Sequence, residues 1–572
     1  MQTIDFVIII LYAVGIAVAG LVFAGRMKNS KEMFAAGGQS PWWVSGLSGF
    51  MTMFSAGTFV IWGGIAYRYG FVAVYINLGY GVAAMLVGRF VAGEWRRLGV
   101  DSAPEYLQMR FGSGLVQFYT WFKGLMQLFQ NGGSVFALSL IVCTLVPLPE
   151  GHLLADPETG HLSVPLTSIA LCMMVIFITC AGGLWAVLMT DVLQFVILTV
   201  SVVFVVPLVL MEVGGWSSFI SAVPEGFTNA TASDYTWWFI VGWMIVNFFN
   251  IGAEWTFVQR YMCVPTQKDA RKAAYLFGGL YLVSPLIWMM PPLVYRVINP
   301  DADPTQAYVL ACQLVLPAGM MGLLVAAMAS ATASMATTRL NTFSGAITTE
   351  VYRRLINKTA SDDRMVFAGR VVTVGLGLVV MAGALLIPRY GYTSFIIDIN
   401  TLLAGPMLLP GMWGMFSRKI GTASVWFTIA SGAVVAYLVK FVLAREGFLT
   451  EVEAFAPLVE LIAANSRLVD LTAGIVFPLL ILSVLEFSGK KEHPGYARVQ
   501  EFAKDFHEQS PAKSSDLPAK MVTVSLVIIA VLMLGLAAFD RAEAPVLGSL
   551  AVVLGAIAGI IHWSIKRKSA AT

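Results

Sequence analysis

The chain consists of long apolar runs separated by short polar connections. A run of about 20 apolar residues is long enough to cross the hydrocarbon core of a bilayer as an α-helix. The pattern predicts about fifteen such helices, near 4–24, 41–67, 71–92, 118–148, 163–181, 183–211, 234–256, 273–295, 307–345, 366–388, 392–416, 421–443, 467–487, 521–539 and 546–565. We therefore expect an all-α polytopic membrane protein.

Composition supports a membrane environment for these runs. Of the 572 residues, 58% are hydrophobic and 12% are charged, whereas about a quarter of the residues of a soluble protein are charged. The five cysteines show neither the paired spacing of a metal site nor a disulfide framework. We expect the lipid bilayer as a partner, no nucleic acid and no cofactor.

Basic residues cluster in alternate connections between the runs. The clusters contain Arg96, Arg97, Arg110, Arg260, Lys268, Arg271, Lys272, Arg353, Arg354, Lys358, Arg418, Lys419, Lys490, Lys491, Arg498, Lys566, Arg567 and Lys568. The intervening connections 149–162 and 212–233 contain no Lys or Arg. By the positive-inside rule, this alternation predicts an N-terminus outside and a C-terminus in the cytoplasm. The first run has no basic residue before it, which favours a retained helix over a cleaved signal peptide.

Two spans carry polar, glycine-containing stretches at mid-depth and are predicted to break. These stretches are Phe54–Thr58 in the second span and Asn247–Glu254 in the seventh. The topology runs the two spans in opposite directions, and broken spans at matching positions of inverted halves are typical of a transporter binding site. The alternative is that Gly and Ser only allow close helix packing there.

Asp191 is a carboxylate inside the apolar sixth span, where a charge costs about 2.5 kcal/mol or more and needs a partner. In the ninth span, which is rich in small residues, Ser334, Thr337 and Thr338 share one helical face. Hydroxyl oxygens suit a hard cation, so this face and Asp191 predict a Na⁺ site. Two alternatives stay open: the hydroxyls bond back to their own helix, and Asp191 carries a transported proton.

Four segments carry a family resemblance. They are 182–194 (GGLWAVLMTDVLQ), 258–261 (VQRY), 104–111 (PEYLQMRF) and the run from Ser334 to Asn341. Together they resemble the sodium:solute symporter family, which includes the sodium/glucose and sodium/proline cotransporters. The resemblance extends over roughly residues 4–490.

The resemblance implies a leucine-transporter-type core of two inverted five-helix repeats, preceded by one helix and followed by several. The chain then divides into 1–40, an N-terminal helix and first cytoplasmic loop; 41–416, the core, with repeats at about 41–211 and 234–416; 417–487, peripheral helices; 488–520, a flexible or surface-lying cytoplasmic linker; and 521–572, C-terminal helices and a basic tail.

The resemblance also implies two cation sites. The site common to the family maps onto oxygens of Met51, Phe54, Ala331 and Ser334. Its second hydroxyl position is Met335 here, and because a thioether is a poor Na⁺ ligand, this site is weakened or lost. Some members carry a second site, which maps onto Asp191 and the three hydroxyls of the ninth span.

The candidate substrate contacts lie at the predicted breaks and on two other core helices. They are Met53, Ser55, Glu254, Trp255, Tyr281 and Asp398. Met53 stands where proline carriers have Asp, and Tyr281 where sugar carriers have Lys. If Glu254 and Asp398 are unpaired, they favour a cationic, amine-bearing or hydroxyl-rich solute. The alternative is that each bonds to Trp, Tyr or backbone groups, or lies at a helix end.

Together these features predict a secondary active transporter, not an enzyme. It would import a small polar solute with Na⁺ by alternating access, as a multi-pass protein of a cell membrane, such as a bacterial inner membrane. One alternative is H⁺ coupling through Asp191. Another is a ligand sensor with a transporter-like core. The 488–520 and 566–572 segments are too short to hold a signalling domain, which argues against a sensor. The solute, the ion stoichiometry and the oligomeric state stay open.

Overall fold

The computed structural model describes residues 2–24, 38–148, 152–181, 184–317, 319–443, 456–489, 491–506 and 544–570, with parts of 520–538. Across these residues the fold is all-α, as predicted. The helices are α1 Thr3–Ala24, α2 Trp42–Thr52, α3 Gly63–Tyr69, α4 Val72–Phe90, α5 Ala92–Arg97, α6 Ala103–Phe111, α7 Ser113–Phe118, α8 Gly124–Leu145, α9 Val164–Ala181, α10 Leu184–Glu212, α11 Trp216–Ala222, α12 Trp237–Ala253, α13 Trp255–Met262, α14 Gln267–Trp288, α15 Met290–Ile298, α16 Ala307–Val315, α17 Met320–Ile347, α18 Asp362–Leu386, α19 Tyr392–Phe416, α20 Thr422–Tyr437, α21 Ala456–Ala464, α22 Ser466–Leu471, α23 Phe477–Ser488, α24 Pro494–Asp505 and α25 Ala544–Ala570.

Many of these helices are apolar enough to cross a bilayer. Within the described residues, nine helical segments reach the length and hydropathy of a membrane span, and four shorter helices are also apolar. Observed bounds such as those of α4 and α19 agree closely with the predicted spans 71–92 and 392–416. The predicted span 521–539 lies partly outside the described residues, so the count of about fifteen helices stays a prediction.

The predicted ninth span, 307–345, is wrong as a single helix. It contains the short helix α16 and the long helix α17, separated by Pro317 and Gly319. Pro317 lacks an amide hydrogen, and Gly319 has φ 89°, a conformation that favours glycine. Asp5 of α1 stabilises the start of α17, because its carboxylate accepts hydrogen bonds from the amides of Gly319 and Gly322 at 2.7 and 2.8 Å.

Both predicted helix breaks are present. In the first, α2 ends at Thr52, and a π-helical turn over Thr58–Trp62 leads into α3. In the second, Glu254 is extended, with φ −67° and ψ 130°, between α12 and α13. Each break interrupts the helical hydrogen-bond ladder inside the protein. Irregular backbone at membrane depth is tolerated where it is buried in protein or lines a cavity.

The core helices pack as two groups. In one group, α14 lies along α4 and α2, and α12 lies along α4. In the other, α8 lies along α18, and both contact α9 and α17. Helix α10 contacts α2 of the first group and α17 of the second. A side chain on α10 can therefore reach both groups.

Helix α24 lies within the predicted linker 488–520 and docks on α6. The fully buried Arg110 of α6 is at the centre of this contact. Its guanidinium donates to the carbonyls of Gly414, Ser417 and Ile420, and its Nη1 lies 3.2 Å from Nδ1 of His493. The first part of the linker is thus a docked helix, and residues 507–519 lie outside the described residues.

Candidate functional site

Asp191 lies where helices α2, α10 and α17 meet, and only 3% of its surface is exposed. Ser48 on α2 donates a hydrogen bond to its Oδ2 at 2.5 Å, and Ser334 on α17 donates to its Oδ1 at 2.6 Å. The structure therefore brings together the predicted pair Asp191 and Ser334. Each serine oxygen keeps a lone pair that could face a cation.

Arg260 of α13 is the charged neighbour of this carboxylate. Its Nη2 lies 3.9 Å from Oδ2 of Asp191, and its Nε donates to Oγ of Ser48 at 3.2 Å. Its side chain is 1% exposed, although the sequence placed Arg260 in a basic cytoplasmic connection. The carboxylate thus has a permanent positive partner. At 3.9 Å that partner is not in close contact, because Ser48 lies between the two groups.

Thr337 and Thr338 are buried on the same face of α17 as Ser334. The hydroxyl of Thr337 donates to the carbonyl of Ser334 at 3.0 Å, which is the back-bonding of the alternative interpretation. Among the described residues, the hydrogen bonds to Asp191 come from Ser48 and Ser334. The assignment of the two threonines to the cation site stays a prediction.

The positions mapped onto the common family site are also buried, namely Met51, Phe54, Ala331 and the departing residue Met335. The carbonyl of Met51 accepts from the amide of Phe54 at 2.9 Å inside the first break. Next to it, the hydroxyl of Thr332 on α17 accepts from the amide of Ala56 at 2.9 Å. This bond ties the first break to the helix that carries Ser334.

In the structure, neither Glu254 nor Asp398 is unpaired. Oε2 of Glu254 lies 2.7 Å from Nζ of Lys123, and both side chains are buried. Asp398 lies 3.0 Å from Nζ of Lys440 and 3.2 Å from Nη1 of Arg467. A charge inside a membrane requires such partners, and both carboxylates find them at positions distant in sequence.

Three of the other four substrate candidates lie near the first break, and the fourth lies at the second. Met53 is half-buried at the end of α2, and the amide of Ser55 lies 3.3 Å from the hydroxyl of Thr58. Tyr281 packs its ring against Phe50, with centroids 4.7 Å apart. At the second break, the ring of Trp255 lies 5.8 Å from Nζ of Lys123. Direct solute contact by any of these residues stays a prediction.

A model of the sodium:solute symporter family matches residues 33–432. The chain belongs to this family. It is therefore a multi-pass membrane protein of a transporter family, and the resemblance seen in its motifs is confirmed.

Individual relatives of this symporter are distant in sequence. The chain is 24% identical over 458 residues to the sodium/sialic acid symporter NanT of Aliivibrio fischeri, covering 76% of this chain and 88% of the relative. It is 23% identical over 480 residues to the sodium/glucose cotransporter of Vibrio parahaemolyticus, covering 77% and 85%. A solved structure of a Na⁺-coupled sialic acid symporter, substrate-bound and outward-open, matches with a TM-score of 0.66 and 22% identity, covering 84% of this chain and 98% of the other. This likeness shows a common fold.

Sequence reasoning missed four side chains of the symporter's site region, namely Ser48, Lys123, Arg260 and Thr332. Arg260 stood in the VQRY segment, and Lys123 lay inside the predicted span 118–148. A basic residue inside an apolar run was a signal that could have identified Lys123. Ser48 and Thr332 carried no comparable signal, since hydroxyl residues are common in membrane helices.

A small cavity lies next to the second break, on the side of α6 and α19. Lys123 and Trp255 line it together with aromatic and aliphatic residues that include Trp95, Tyr106, Tyr119 and Met407. Lys123 of the Lys123–Glu254 pair thus borders this space.

Proposed function

We propose that this protein imports a small polar organic solute together with Na⁺ by alternating access, with the cation bound at Asp191. The observation that carries the proposal is the position of Asp191. Its two carboxylate oxygens accept hydrogen bonds from Ser48 and Ser334, which belong to the two different helix groups. A cation bound there would link α10 to both groups, so its occupancy would favour one relative arrangement of them.

The ligand set suits Na⁺. Carboxylate and hydroxyl oxygens are hard donors, and Asp191 with Ser334, Thr337 and Thr338 would supply them from α10 and α17. Met51, Phe54 and Ala331 would supply carbonyls to the common family site, which Met335 weakens. Each positive charge that enters down a membrane potential of 100 mV releases about 2.3 kcal/mol. That free energy would drive solute accumulation.

The contacts of Asp191 favour sodium over the proton alternative. Both hydroxyls donate to it and Arg260 faces it, and these interactions stabilise an ionised carboxylate. Burial acts in the opposite sense, and uptake under a Na⁺ or an H⁺ gradient distinguishes the two ions. The names of the relatives support sialic acids or sugars as the kind of solute. We place the N-terminus outside and the C-terminus in the cytoplasm of a bacterial inner membrane.

Uptake into proteoliposomes tests the proposal. The probes are radiolabelled N-acetylneuraminate, glucose and myo-inositol, each supplied with an inward Na⁺ gradient, an inward H⁺ gradient or neither. We expect one probe to accumulate with the Na⁺ gradient only, and Asp191→Asn to abolish this accumulation. The matched control is Asp234→Asn, which removes an exposed carboxylate.

Three results would contradict it. Accumulation driven only by the H⁺ gradient would support H⁺ coupling through Asp191 instead. Binding of a probe without flux would support a sensor. Na⁺-driven accumulation by Asp191→Asn at the unsubstituted rate would remove Asp191 from the coupling site.

A further inference from the structure

Helix α8 and the π-helical turn Tyr119–Lys123 before it carry polar residues along one face. The residues on this face follow each other at spacings of three or four, which places them on one side of a helix. They are Thr120, Lys123, Gln127, Gln130 and Ser134. Asn131 lies beside them. We call this set the α8 polar face.

Several groups of the α8 polar face lack hydrogen-bond partners in the part of the chain that the structure describes. These groups are Oγ1 of Thr120, Oε1 of Gln127, Nε2 of Gln130 and both amide atoms of Asn131. Asn131 is fully buried and Thr120 is 1% exposed. Buried polar groups are almost always hydrogen-bonded in native proteins, so these groups have hydrogen-bonding capacity that water or a polar solute would satisfy.

One end of the α8 polar face lies at the second helix break. Lys123 pairs with Glu254 there, and the ring of Trp255 stacks on Phe343 of α17 with centroids 5.4 Å apart. Phe343 also packs directly against Gly124, the first residue of α8. Arg339 lies one turn before Phe343 on α17 and so shares its face.

The other end lies at the first helix break. The hydroxyl of Tyr392 lies against Gly57, where a Cβ would be 2.5 Å from it, and the tyrosine ring lies equally close to Gly133 of α8. Oγ of Ser134 is also close to Gly57, where a Cβ would be 3.7 Å from it. Arg339 lies on α17, which packs along α8, one turn before the residue that contacts Gly124.

The charges in this region do not balance. Lys123 and Arg339 are positive, and Glu254 is in contact with Lys123 at 2.7 Å. Nε of Arg339 is buried and has no partner among the described residues. Two further carboxylates of the core helices are engaged elsewhere, Asp191 near Arg260 and Asp398 with two cations of the peripheral helices. Among the described residues, this leaves two positive charges and one carboxylate in the region, and a net charge inside a membrane is costly.

We propose that the solute is a carboxylate-bearing organic anion rich in hydroxyl or amide groups, and that Arg339 binds its carboxylate. The guanidinium fork matches a carboxylate in geometry and charge, and the α8 polar face supplies partners for the remaining polar groups. This inference rests on the proposed function and narrows its solute class. It replaces the expectation of a cationic or amine-bearing solute, because Glu254 and Asp398 are already paired. One Na⁺ and one such anion carry no net charge, so electrogenic import would require more than one Na⁺.

Thermal stabilisation of the purified full-length protein tests the inference. The probes are matched sets that differ in charge: glucuronate, glucose and glucosamine, and N-acetylneuraminate with N-acetylmannosamine. Each is titrated in NaCl and in choline chloride. We expect at least one carboxylate to raise the melting temperature in NaCl, and its neutral and amine counterparts to leave it unchanged.

Substitutions then locate the carboxylate. We expect Arg339→Gln to weaken the apparent affinity for that carboxylate roughly ten- to hundredfold, and Arg339→Lys to retain part of it. Arg353→Gln, which removes an exposed arginine further along the same helical segment, should leave the affinity unchanged. Stabilisation by Na⁺ alone, measured on each variant, shows that the variant is folded.

The inference is overturned if no carboxylate stabilises the protein, if a neutral or amine probe stabilises it as well as its carboxylate counterpart, or if Arg339→Gln responds like the unsubstituted protein. A failure of the proposed function would give a different result. A carboxylate would still bind through Arg339, but a Na⁺ gradient would drive no flux of it.

Discussion

Arg260 and Asp191 face each other across Ser48, with Nη2 of the arginine 3.9 Å from Oδ2 of the carboxylate. Both side chains are buried, and they come from α13 and α10. The guanidinium of Arg260, a cation fixed to the chain, therefore accompanies the Asp191 carboxylate that is proposed to bind a free cation. Arg260 would limit the electrostatic cost of Asp191 when Na⁺ is absent. Na⁺ would then compete with a charge that cannot leave the site.

The first prediction concerns removal of this tethered charge. Arg260→Gln leaves Asp191 as an uncompensated buried charge, and we expect a loss of about 3–5 kcal/mol of stability in Na⁺-free buffer. Because Na⁺ would replace the missing charge, the rise in melting temperature between choline chloride and NaCl should be larger in Arg260→Gln than in the unsubstituted protein. The double variant Asp191→Asn/Arg260→Gln should recover much of the stability and lose the response to Na⁺. Equal Na⁺ responses in the single variant and the unsubstituted protein would contradict a shared site.

The second prediction concerns the Lys123–Glu254 pair at the second helix break. We expect Lys123→Met and Glu254→Gln each to destabilise the protein by about 3–5 kcal/mol, because each leaves one buried charge without its partner. The double variant should be less destabilised than the sum of the two. Melting temperatures of the four proteins give the coupling energy directly. Additive effects would mean that the 2.7 Å contact contributes nothing to stability.

The third prediction separates structure from solute binding at Asp398. Its oxygens are occupied by Lys440 and Arg467, and Lys440 also lies 2.9 Å from Asp470. We expect Asp398→Asn to lower the melting temperature and to leave the KM for solute within about twofold. Tyr281→Phe, which alters a predicted substrate contact near the first break, is compared with it in the same uptake assay. A tenfold or larger rise in KM for Asp398→Asn at unchanged stability would instead support direct solute contact.

The fourth prediction is a pH dependence at the docked helix α24. Nδ1 of His493 accepts a hydrogen bond from the amide of Gly495 at 3.1 Å and lies 3.2 Å from Arg110. Partial burial and the positive charges of Arg110 and Arg498 lower the pKa of His493 below its usual value. The unfolded chain therefore binds this proton more readily than the native protein does. Stability should be unaffected above about pH 7 and should fall as the pH drops through about 6.5, the usual histidine pKa.

Melting temperatures between pH 8 and pH 5 check this dependence. His493→Asn keeps a capping acceptor at the start of α24 and cannot take up the proton, so its stability should fall less over that range. The exposed His152→Asn serves as the control and should follow the unsubstituted protein. Parallel curves for His493→Asn and the unsubstituted protein would exclude His493 as the titrating group.

Much of the architecture follows from the sequence alone. The apolar runs located the membrane helices because a bilayer demands about 20 apolar residues per crossing. The glycine-containing polar stretches located both helix breaks. The three-residue and four-residue spacing placed Ser334 on a buried face, and the motifs identified the family. Asp191 stood out in an apolar run, which marked it as a residue that needs a partner.

The identity of the partners was decided by the tertiary structure. Ser48 and Arg260 meet Asp191 from positions 143 residues before it and 69 residues after it in the chain, and Lys123 meets Glu254 across 131 residues. Helical periodicity states which side chains share a face, but it carries no information about the helix that faces them. The electrostatic energy of a buried charge depends on the distance to its nearest counterion. That distance is set only when the helices pack, so the sequence revealed which charges need partners and the fold determined which partners they have.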